Sequence, residues 1–501
     1  MSADLPTTEP GPDEVDAFTG GSIGKHVVSG VFWSVIQSWG GRLISTAVFV
    51  VIGRLLSPED FGLVSLGTIV VELGALLTVS GFHRALVQRK ILEAEHLDAA
   101  FWSSVVIGTF LCVVSMLVAG PIANLLDEPA FAPILRALSL TFLITAFGAV
   151  PYALLHRRLA FRTFAIRQLT AITVGGSVGV TLAVSGAGPW ALVGQALSSS
   201  LTGAVVVWIN AGWRPRLRFS SRHWRDIARF GTVALVIDML DLANARLDDL
   251  LIGVALGSTA LGYYSIAYRT YAISLEVVAY SLGAVAFPLF SRIVADRARG
   301  GRAVIRATRF VMCVTLPVFL GLAVVADHAV VGLFGPQWSD SVPVLRILAV
   351  AAAIGSTVMM SRDVVMAAGR PRLELGKMLI IGVATFIAFF IGVSWGLVGV
   401  AWGRVAVSLV IVPVGVYGIR RVVEADLRAY LLACIGPLPA CAVMVAVVWY
   451  ADRALAPDRG SLIWLGLLGA LGLVVYVATP TLTARSTVKE LVGLVRDRGA
   501  P

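Results

Sequence analysis

"VIGRLLSPEDFGLVS", residues 51–65, recurs later in the chain as "LIGVALGSTALGYYS", residues 251–265. The identical pairs are Ile52 and Ile252, Gly53 and Gly253, Leu56 and Leu256, Gly62 and Gly262, and Ser65 and Ser265. Six predicted membrane-spanning helices separate the two copies, so both copies cross in the same direction. The repeat therefore predicts two six-helix lobes related by a pseudo-two-fold axis along the membrane normal.

The composition is that of a polytopic membrane protein: 57% of the residues are hydrophobic and 14% are charged. A spanning helix needs about 20 largely apolar residues to cross a hydrocarbon core of roughly 30 Å. The chain offers about fourteen such segments, and the last two come after the two six-helix lobes. They are 27–53, 61–82, 99–120, 131–155, 164–185, 189–210, 227–256, 260–287, 304–326, 341–367, 373–394, 397–419, 429–450 and 461–479. The predicted fold is therefore all-α.

Lysine and arginine fall almost entirely on alternate loops. The basic loops follow the second, fourth, sixth, eighth, tenth and twelfth spans, whereas the opposite loops carry only Arg54, Arg453 and Arg459. By the positive-inside rule both termini are cytoplasmic. The predicted divisions are a disordered tail (1–24), an N-lobe (25–213), a C-lobe (214–420) and a last helix pair with a cytoplasmic tail (421–501).

The loops are too short to hold a folded catalytic domain, so we expect neither an enzyme nor a nucleic-acid-binding protein. The four cysteines lie in apolar segments without metal-ligand spacing. His83, His96 and His328 are expected in solvated loops. No cofactor and no metal site are predicted.

Several stretches resemble one transporter family in combination and in order. They are "GRLLSPEDFGLVSL" (53–66), "GFHRALVQRKILEAEHLDAAFW" (81–102), "RLDDLLIGVALGSTALGYYSIAYR" (246–269), "AFPLFSRI" (286–293), "PVLRILA" (343–349) and "AAGRPRLEL" (367–375). Over roughly residues 25–420 the chain resembles Wzx-type polysaccharide flippases, near the WzxC and teichuronic-acid exporters. These belong to the multidrug/oligosaccharidyl-lipid/polysaccharide exporter superfamily.

The resemblance implies two six-helix lobes around a central cavity and alternating access. It also implies that a lipid-linked oligosaccharide moves from the inner to the outer leaflet of the bacterial inner membrane, in contact with membrane lipids. A polysaccharide polymerase and glycosyltransferases are the partners that such a transporter implies. The composition leaves two alternatives: a cation-coupled multidrug antiporter of the same superfamily and, less favoured, a polytopic glycosyltransferase or polymerase.

Charged residues inside spans are expensive, about 3 kcal/mol each on insertion scales, so they face a cavity or a partner. The segment "DMLDLANARLDDLLIG" (238–253) concentrates them. At 100° per residue its polar residues cover one half of the helix, and leucines fill much of the other half. Asp238 and Asp241 are expected near mid-membrane on a cavity wall, and Asp248 and Asp249 at the outer mouth.

Arginine suits a diphosphate because its planar donor fork binds phosphate oxygens in pairs. Arg42 follows Gly40-Gly41, where the backbone can bend and approach a neighbour. Related lipid II flippases place a cavity arginine in helix 1, which corresponds here to Arg42. We expect Arg42, Arg246 and Arg269 to bind the diphosphate of the lipid carrier, unless Arg42 pairs with Glu72. The other charges predicted to face the cavity are Arg136, Arg346 and Arg404.

Carboxylates held within the membrane can bind a proton or Na⁺ as a cavity changes its access. Asp238 and Asp241, one turn apart, are the first candidates for such coupling to H⁺ or Na⁺. Glu72 and Glu276 come next. The tyrosines within 263–271 could stack on sugar rings, but their position at a helix start is more typical of an interfacial belt.

Overall fold

The computed structural model describes residues 32–89, 92–293, 296–455 and 460–483. Within these ranges the regular elements are helices and no strand occurs. The predicted all-α membrane fold is confirmed by helices of membrane-spanning length and composition. The predicted tail 1–24 and the basic C-terminal segment 485–498 lie outside the described residues.

The helices alternate with short connections along the whole described chain. In the first half they are α1 (Gly41–Leu55), α2 (Pro58–Gln88), α3 (Ala94–Leu125), α4 (Phe131–Arg157), α5 (Phe161–Val184), α6 (Trp190–Ala211) and α7 (Ser221–Ile293). In the second half they are α8 (Arg297–Val324), α9 (Ala326–Phe334), α10 (Ser341–Gly355), α11 (Ser361–Ala367), α12 (Pro371–Val393), α13 (Gly396–Val422), α14 (Leu427–Ile435), α15 (Leu438–Leu455) and α16 (Leu462–Thr483).

Twelve helical segments of the described chain are long and apolar enough to cross a membrane. Their surfaces expose large apolar side chains such as Phe110, Leu117, Val383 and Phe390. A protein surrounded by water rarely exposes apolar area on this scale, whereas lipid tails match it. Helix α5, which corresponds to the predicted span 164–185, is not among the twelve, so the number fourteen stays a prediction.

Helix α7 contains two of the predicted spans, 227–256 and 260–287, joined by a kink at Gly257. Gly257 has φ 86° and ψ 175°, which is not helical and is open to glycine because it has no Cβ. The hydroxyl of Tyr264 donates to Asp248 Oδ2 at 2.6 Å. In a straight helix, residues this far apart in sequence would be separated by roughly 24 Å. The helix therefore turns back at Gly257, and its two sides are called here the N-terminal and C-terminal arms.

The chain forms two compact units. Unit 1 contains the residues up to Ile52 together with Val70–Asn124 and Pro129–Leu240. Unit 2 contains Gly53–Ile69, Leu125–Glu128 and the residues from Asp241 onward. The predicted lobes 25–213 and 214–420 stay predictions, because compactness alone does not define a repeat.

In unit 1, α5 packs along α6 at close range because small residues line the contact. A Cβ added at Gly175 would overlap Ser199 Oγ, and one at Gly179 would lie 2.9 Å from Gln195 Cβ. The hydroxyl of Ser199 donates to the carbonyl of Ala171 at 2.9 Å. In lipid, where burial of apolar surface does not drive association, such close packing and interhelical hydrogen bonds hold helices together.

In unit 2, Trp338 anchors the segment after α9. Its side chain is fully buried, its ring meets the edge of Phe61 at 5.4 Å, and its Nε1 donates to the carbonyl of Gly53 at 2.7 Å. The neighbouring Arg54 donates to the carbonyl of Leu333 at 2.7 Å. Arg54 thereby satisfies a carbonyl at the C-terminus of α9, which the helix itself leaves without a partner.

The repeated stretches meet each other in unit 2. A Cβ at Gly62 would overlap the carbonyl of Ser258, and a Cβ at Gly262 would overlap the carbonyl of Pro58. Ser265 Oγ donates to Ser65 Oγ at 3.2 Å. Each contact is therefore made between equivalent positions of the two copies, and the start of α2 packs against the start of the C-terminal arm of α7 as a reciprocal pair.

Candidate functional site

Arg404, on α13, faces a cavity of about 200 Å³ inside unit 2. Its side chain is partly exposed to that space. Tyr271 also lines the cavity. Asp248 lies close enough for its negative charge to interact with the Arg404 guanidinium. The cavity wall thus combines a permanent positive charge with an aromatic hydroxyl. The rest of the lining is largely apolar: Leu275, Leu348, Ala351, Ala352, Gly355, Ser356, Met359, Ser408 and Ile411.

Three tyrosines of the C-terminal arm of α7 form a continuous row beside Arg404. Their spacing, Tyr264, Tyr268 and Tyr271, puts them on one helix face. The first two rings stack with centroids 6.0 Å apart, and the next two meet edge to face at 5.6 Å. Tyr264 is fully buried. The expectation of an interfacial belt is wrong for Tyr264, because its ring is buried among helices and its hydroxyl has a buried carboxylate as acceptor.

Asp248 and Asp249 are buried, at 2% and 6% exposure. Asp248 accepts from Tyr264, and Asp249 Oδ2 accepts from Arg246 Nη1 at 3.0 Å. The expectation that these aspartates lie at a hydrated outer mouth is therefore not met: they are desolvated and compensated by neighbours. The kink at Gly257 is the physical reason, because it folds the tyrosine row back onto the charged segment.

The opposite face of the N-terminal arm agrees with the predicted apolar half. Leu240 and Leu250 expose 38% and 42% of their surface. Asp241 lies near Arg362, with its Oδ2 3.8 Å from Arg362 Nη2, and both side chains are well exposed. Asp238, one turn earlier, is partly buried and interacts with a neighbouring group. Asp241 therefore has an arginine partner, Arg362, which was not predicted from the sequence.

Arg42 lies two residues after the end of a π-helical turn, Ile36–Gly40, in unit 1. A Cβ at Gly41 would come 3.1 Å from Gln168 Nε2 on α5, and Gln37 Nε2 donates to Gln168 Oε1 at 2.7 Å. The predicted close approach at Gly40-Gly41 is thus present. Widened turns of this kind recur at functional sites. Arg42 is partly buried and engages a neighbour, and its pairing with Glu72 stays a prediction.

The remaining predicted residues fall in two places. Glu72 lies on the part of α2 that belongs to unit 1 and is partly buried. Arg269 and Glu276 lie on the C-terminal arm of α7, seven residues apart and so on one face, and are also partly buried. Arg269 therefore lies on the same helix arm as the row of tyrosines beside Arg404.

Arg136 and Arg346 occupy equivalent positions in "FAPILRAL" (131–138) and "SVPVLRIL" (341–348). Arg136 Nε lies 3.5 Å from the carbonyl of Met116 on α3. Arg346 forms an ion pair with Asp327 at the start of α9. Each arginine thus reaches a preceding helix of its own unit. This second repeated motif was present in the sequence but was not recognised as a repeat.

Several buried polar interactions were not predicted from the sequence. Lys377 is buried and donates to Glu374 Oε2 at 2.7 Å and to Ser361 Oγ at 2.8 Å. His96 and His328, expected on solvated loops, are 2% and 1% exposed. His328 Nε2 is bonded to Asp452 Oδ1 at 2.7 Å. His328 and Asp452 are far apart in sequence, so no local pattern identifies that pair. Glu374 and Lys377 are three residues apart on α12, and this spacing is the signal that could have identified them.

Comparison with known proteins agrees with the resemblance seen in the sequence. The chain is 28% identical over 480 residues to the succinoglycan biosynthesis transport protein ExoT of Rhizobium meliloti (strain 1021), covering 95% of this chain and 96% of that protein. It is 26% identical over 430 residues to the teichuronic acid biosynthesis protein TuaB of Bacillus subtilis (strain 168), covering 84% and 88% of the two chains.

The fold has a solved counterpart in the lipid II flippase MurJ in an inward closed conformation. The TM-score is 0.75 at 14% identity, over 91% of this chain and all of the other. At this identity the likeness concerns the fold alone. The model of the family described as "Polysaccharide biosynthesis protein" matches residues 51–343, which is more than half of the chain. The chain belongs to this polysaccharide biosynthesis protein family.

Proposed function

We propose that the protein is a flippase that moves an oligosaccharide linked to a polyprenyl diphosphate across the bacterial inner membrane by alternating access. Both termini would be cytoplasmic, as the loop charges indicate. The names of relatives such as the succinoglycan transport protein support a substrate from polysaccharide assembly. The substrate is carried without chemical change, so the protein acts with the enzymes that build and polymerise the glycan.

The observation that carries this proposal is the position of Arg404. A guanidinium in a cavity wall attracts an anion such as a diphosphate and opposes a cationic drug. The tyrosine beside it offers an aromatic face and a hydroxyl, the groups that pack on sugar rings and bond their hydroxyls. A cavity of about 200 Å³ in unit 2 holds one part of a headgroup, not a whole glycan.

The diphosphate-binding role is therefore proposed for Arg404, together with Arg42 and Arg269 from the sequence prediction. Arg246 is left out because its guanidinium donates directly to Asp249 at 3.0 Å, so part of its donor fork is already used by the protein. Arg346 is left out because Asp327 pairs with it. Arg246 and Arg346 instead fit a structural role, in which an ion pair stabilises the packing.

Coupling to H⁺ or Na⁺ is proposed for Asp238, with Glu72 and Glu276 as further candidates. All three side chains are partly buried, which is where a carboxylate can change its protonation or bind a cation as access changes. Asp241 is the weakest candidate, because Arg362 Nη2 lies 3.8 Å from its carboxylate.

A reconstitution experiment tests the function. The purified protein is placed in liposomes with a polyprenyl-diphosphate oligosaccharide in the inner leaflet, and a membrane-impermeant lectin reports its arrival outside. We expect arrival that depends on the protein. Cation-driven efflux of a dye without glycan movement would instead establish the antiporter, and elongation of the glycan would establish an enzyme.

The predicted orientation has a separate test. Reporter proteins that work only in the cytoplasm are fused after the last residue and within the connection between α6 and α7. We expect activity from both fusions, and activity of periplasmic reporters at these positions would contradict the proposed orientation.

A further inference from the structure

Three side chains with metal-binding atoms meet at one end of unit 1. Glu93 directly precedes α3, His96 lies in the first turn of α3, and His223 lies in the first turn of α7. One ligand atom from each lies within 4.8 Å of the others. We propose that Glu93, His96 and His223 bind a divalent transition-metal ion, for which Zn²⁺ is the reference ion.

The carboxylate of Glu93 lies between the two imidazoles. Its Oε2 is 2.9 Å from His223 Nε2 and 4.0 Å from His96 Nδ1. The imidazole rings meet edge to face with centroids 4.5 Å apart. Bound zinc has nitrogen and oxygen ligands at about 2.0–2.2 Å. Side-chain rotations of about an ångström would therefore bring all three ligand atoms around one ion.

His223 is oriented by a further hydrogen bond. Ser220 Oγ is bonded to His223 Nδ1 at 2.6 Å, which directs Nε2 toward Glu93. Metal-binding histidines use their other ring nitrogen in this way, because the second bond fixes the ring and its tautomer. Ser220 thus acts as a positioning residue for the site.

The backbone that carries His223 is tied to α3. The amide of Arg216 donates to Asp98 Oδ1 at 3.0 Å, and Trp102 Nε1 donates to the carbonyl of Arg216 at 2.8 Å. Asp98 is buried. These two bonds hold the segment between α6 and α7 against the helix that bears His96. The three ligands are therefore preorganised although they come from distant parts of the sequence.

His96 supplies an independent indication that a ligand belongs here. The side chain is 2% exposed, and its Nε2 is buried without a hydrogen-bond partner among the residues that the structure describes. Its Nδ1 receives a single 3.3 Å bond from the Glu93 amide. Buried polar atoms are nearly always satisfied. Nδ1, the nitrogen that faces Glu93, has only this long bond to exchange for a metal ion, and a turn of the ring would offer the unpartnered Nε2 instead.

The donor set selects the class of ion. Two imidazole nitrogens and one carboxylate oxygen suit Zn²⁺ with a fourth position open to solvent, whereas Ca²⁺ and Mg²⁺ prefer oxygen ligands. Glu93 is 53% exposed in its side chain, so the site opens to the surrounding solution. The nearby Arg89 pairs with Asp226 at 3.6 Å, and this pairing reduces its repulsion of a cation. A bound ion would join the start of α3 to the start of α7.

Titration of the full-length protein tests the site. Protein purified in detergent and stripped with EDTA is titrated with ZnCl₂ in a calorimeter, and Co²⁺ is added separately to record its visible absorption bands. We expect about one saturable equivalent of Zn²⁺ per chain and Co²⁺ bands typical of nitrogen and oxygen ligands. Zn²⁺ should also raise the melting temperature.

Variants distinguish the site from general histidine binding. Glu93→Gln, His96→Ala and His223→Ala should each abolish the saturable equivalent and the melting shift. Ser220→Ala should weaken binding by about 10–100-fold, as loss of an orienting partner does. The matched control is His156→Ala, which removes another histidine of unit 1, stacked on Tyr152, and should bind as the wild type does.

Two results would overturn the proposal. Equal Zn²⁺ binding by wild type and the three ligand variants would show adventitious binding elsewhere. Absence of saturable binding by the wild type would show that the cluster is only a hydrogen-bonded contact. If a histidine variant fails to fold, Glu93→Gln and Ser220→Ala still decide the question. Glu93→Gln keeps the size of the side chain, and Ser220→Ala removes only a hydroxyl.

Discussion

Gly62 and Gly262 each press against the backbone of the other's helix, so the two copies of the internal repeat form a self-complementary helix crossing. A Cβ at either glycine would overlap a carbonyl oxygen, of Ser258 in one case and Pro58 in the other. Equivalent carbonyls face equivalent glycines, and Ser65 bonds its own counterpart Ser265. The residues that identify the repeat in the sequence are therefore the residues that let its copies touch.

Gly62→Ala or Gly262→Ala should destabilise the protein because the added methyl group has to displace backbone. Overpacking of this kind costs typically 1–3 kcal/mol, and backbone contact places these sites at the upper end, about 3 kcal/mol. Thermal unfolding in detergent measures the effect, followed by a thiol-reactive dye that labels the buried cysteines as unfolding exposes them.

The control for this prediction is Gly376→Ala. Gly376 lies within α12 and a Cβ there would meet nothing within 4 Å. In such open helical positions alanine is neutral or stabilising by up to about 1 kcal/mol. Equal melting temperatures for all three variants would contradict the close crossing.

Arg404→Lys and Arg404→Leu should both slow glycan translocation. Lysine keeps the charge but loses the planar fork, and each lost bond to a phosphate is worth about 1.5–3 kcal/mol, or roughly tenfold or more in rate. The reconstituted lectin assay measures the rate. Arg346→Gln serves as the control, since its partner Asp327 lies outside the cavity lining and a largely exposed pair contributes about 0–1 kcal/mol. Wild-type rates in both Arg404 variants would exclude its role in substrate binding.

Lys377→Met should destabilise unit 2 by about 3–5 kcal/mol, because it leaves the carboxylate of Glu374 buried without its cation. The pair is 2.7 Å apart and both side chains are buried. The double variant Lys377→Met with Glu374→Leu should recover much of the loss, since no buried charge remains. Additive losses in melting temperature would show that the two residues do not act as a pair.

Asp238→Asn should remove the dependence of transport on a proton or Na⁺ gradient, because the amide can neither bind a proton at working pH nor carry charge. Liposomes with and without each gradient measure this. Asp241→Asn is the matched comparison one turn away and should keep the dependence, since Arg362 lies beside that carboxylate. Unchanged gradient dependence in the Asp238 variant would exclude it as the coupling group.

The fold class followed from the sequence because spanning helices depend on properties that are local. Length, apolarity and loop charge identify a membrane helix without knowledge of its neighbours. The helical half predicted to be apolar around Leu240 and Leu250 is indeed exposed. The resemblance to polysaccharide flippases also held, because its motifs lie at helix starts such as Gly62 and Gly262, where packing restricts the residue type.

The charged residues show where sequence reasoning ended. Their number and approximate depth were readable, but their partners depend on how helices rotate and turn in three dimensions. The kink at Gly257 brought Tyr264 to Asp248 and so buried an aspartate that local depth had placed in water. Glu93 and His223 meet because the residue before α3 and the first turn of α7, which are distant in sequence, lie side by side. The sequence by itself determined which segments are helices in a membrane. Only the tertiary structure decided which charges neutralise each other and which face a cavity, because electrostatic pairing depends on the distances between helices.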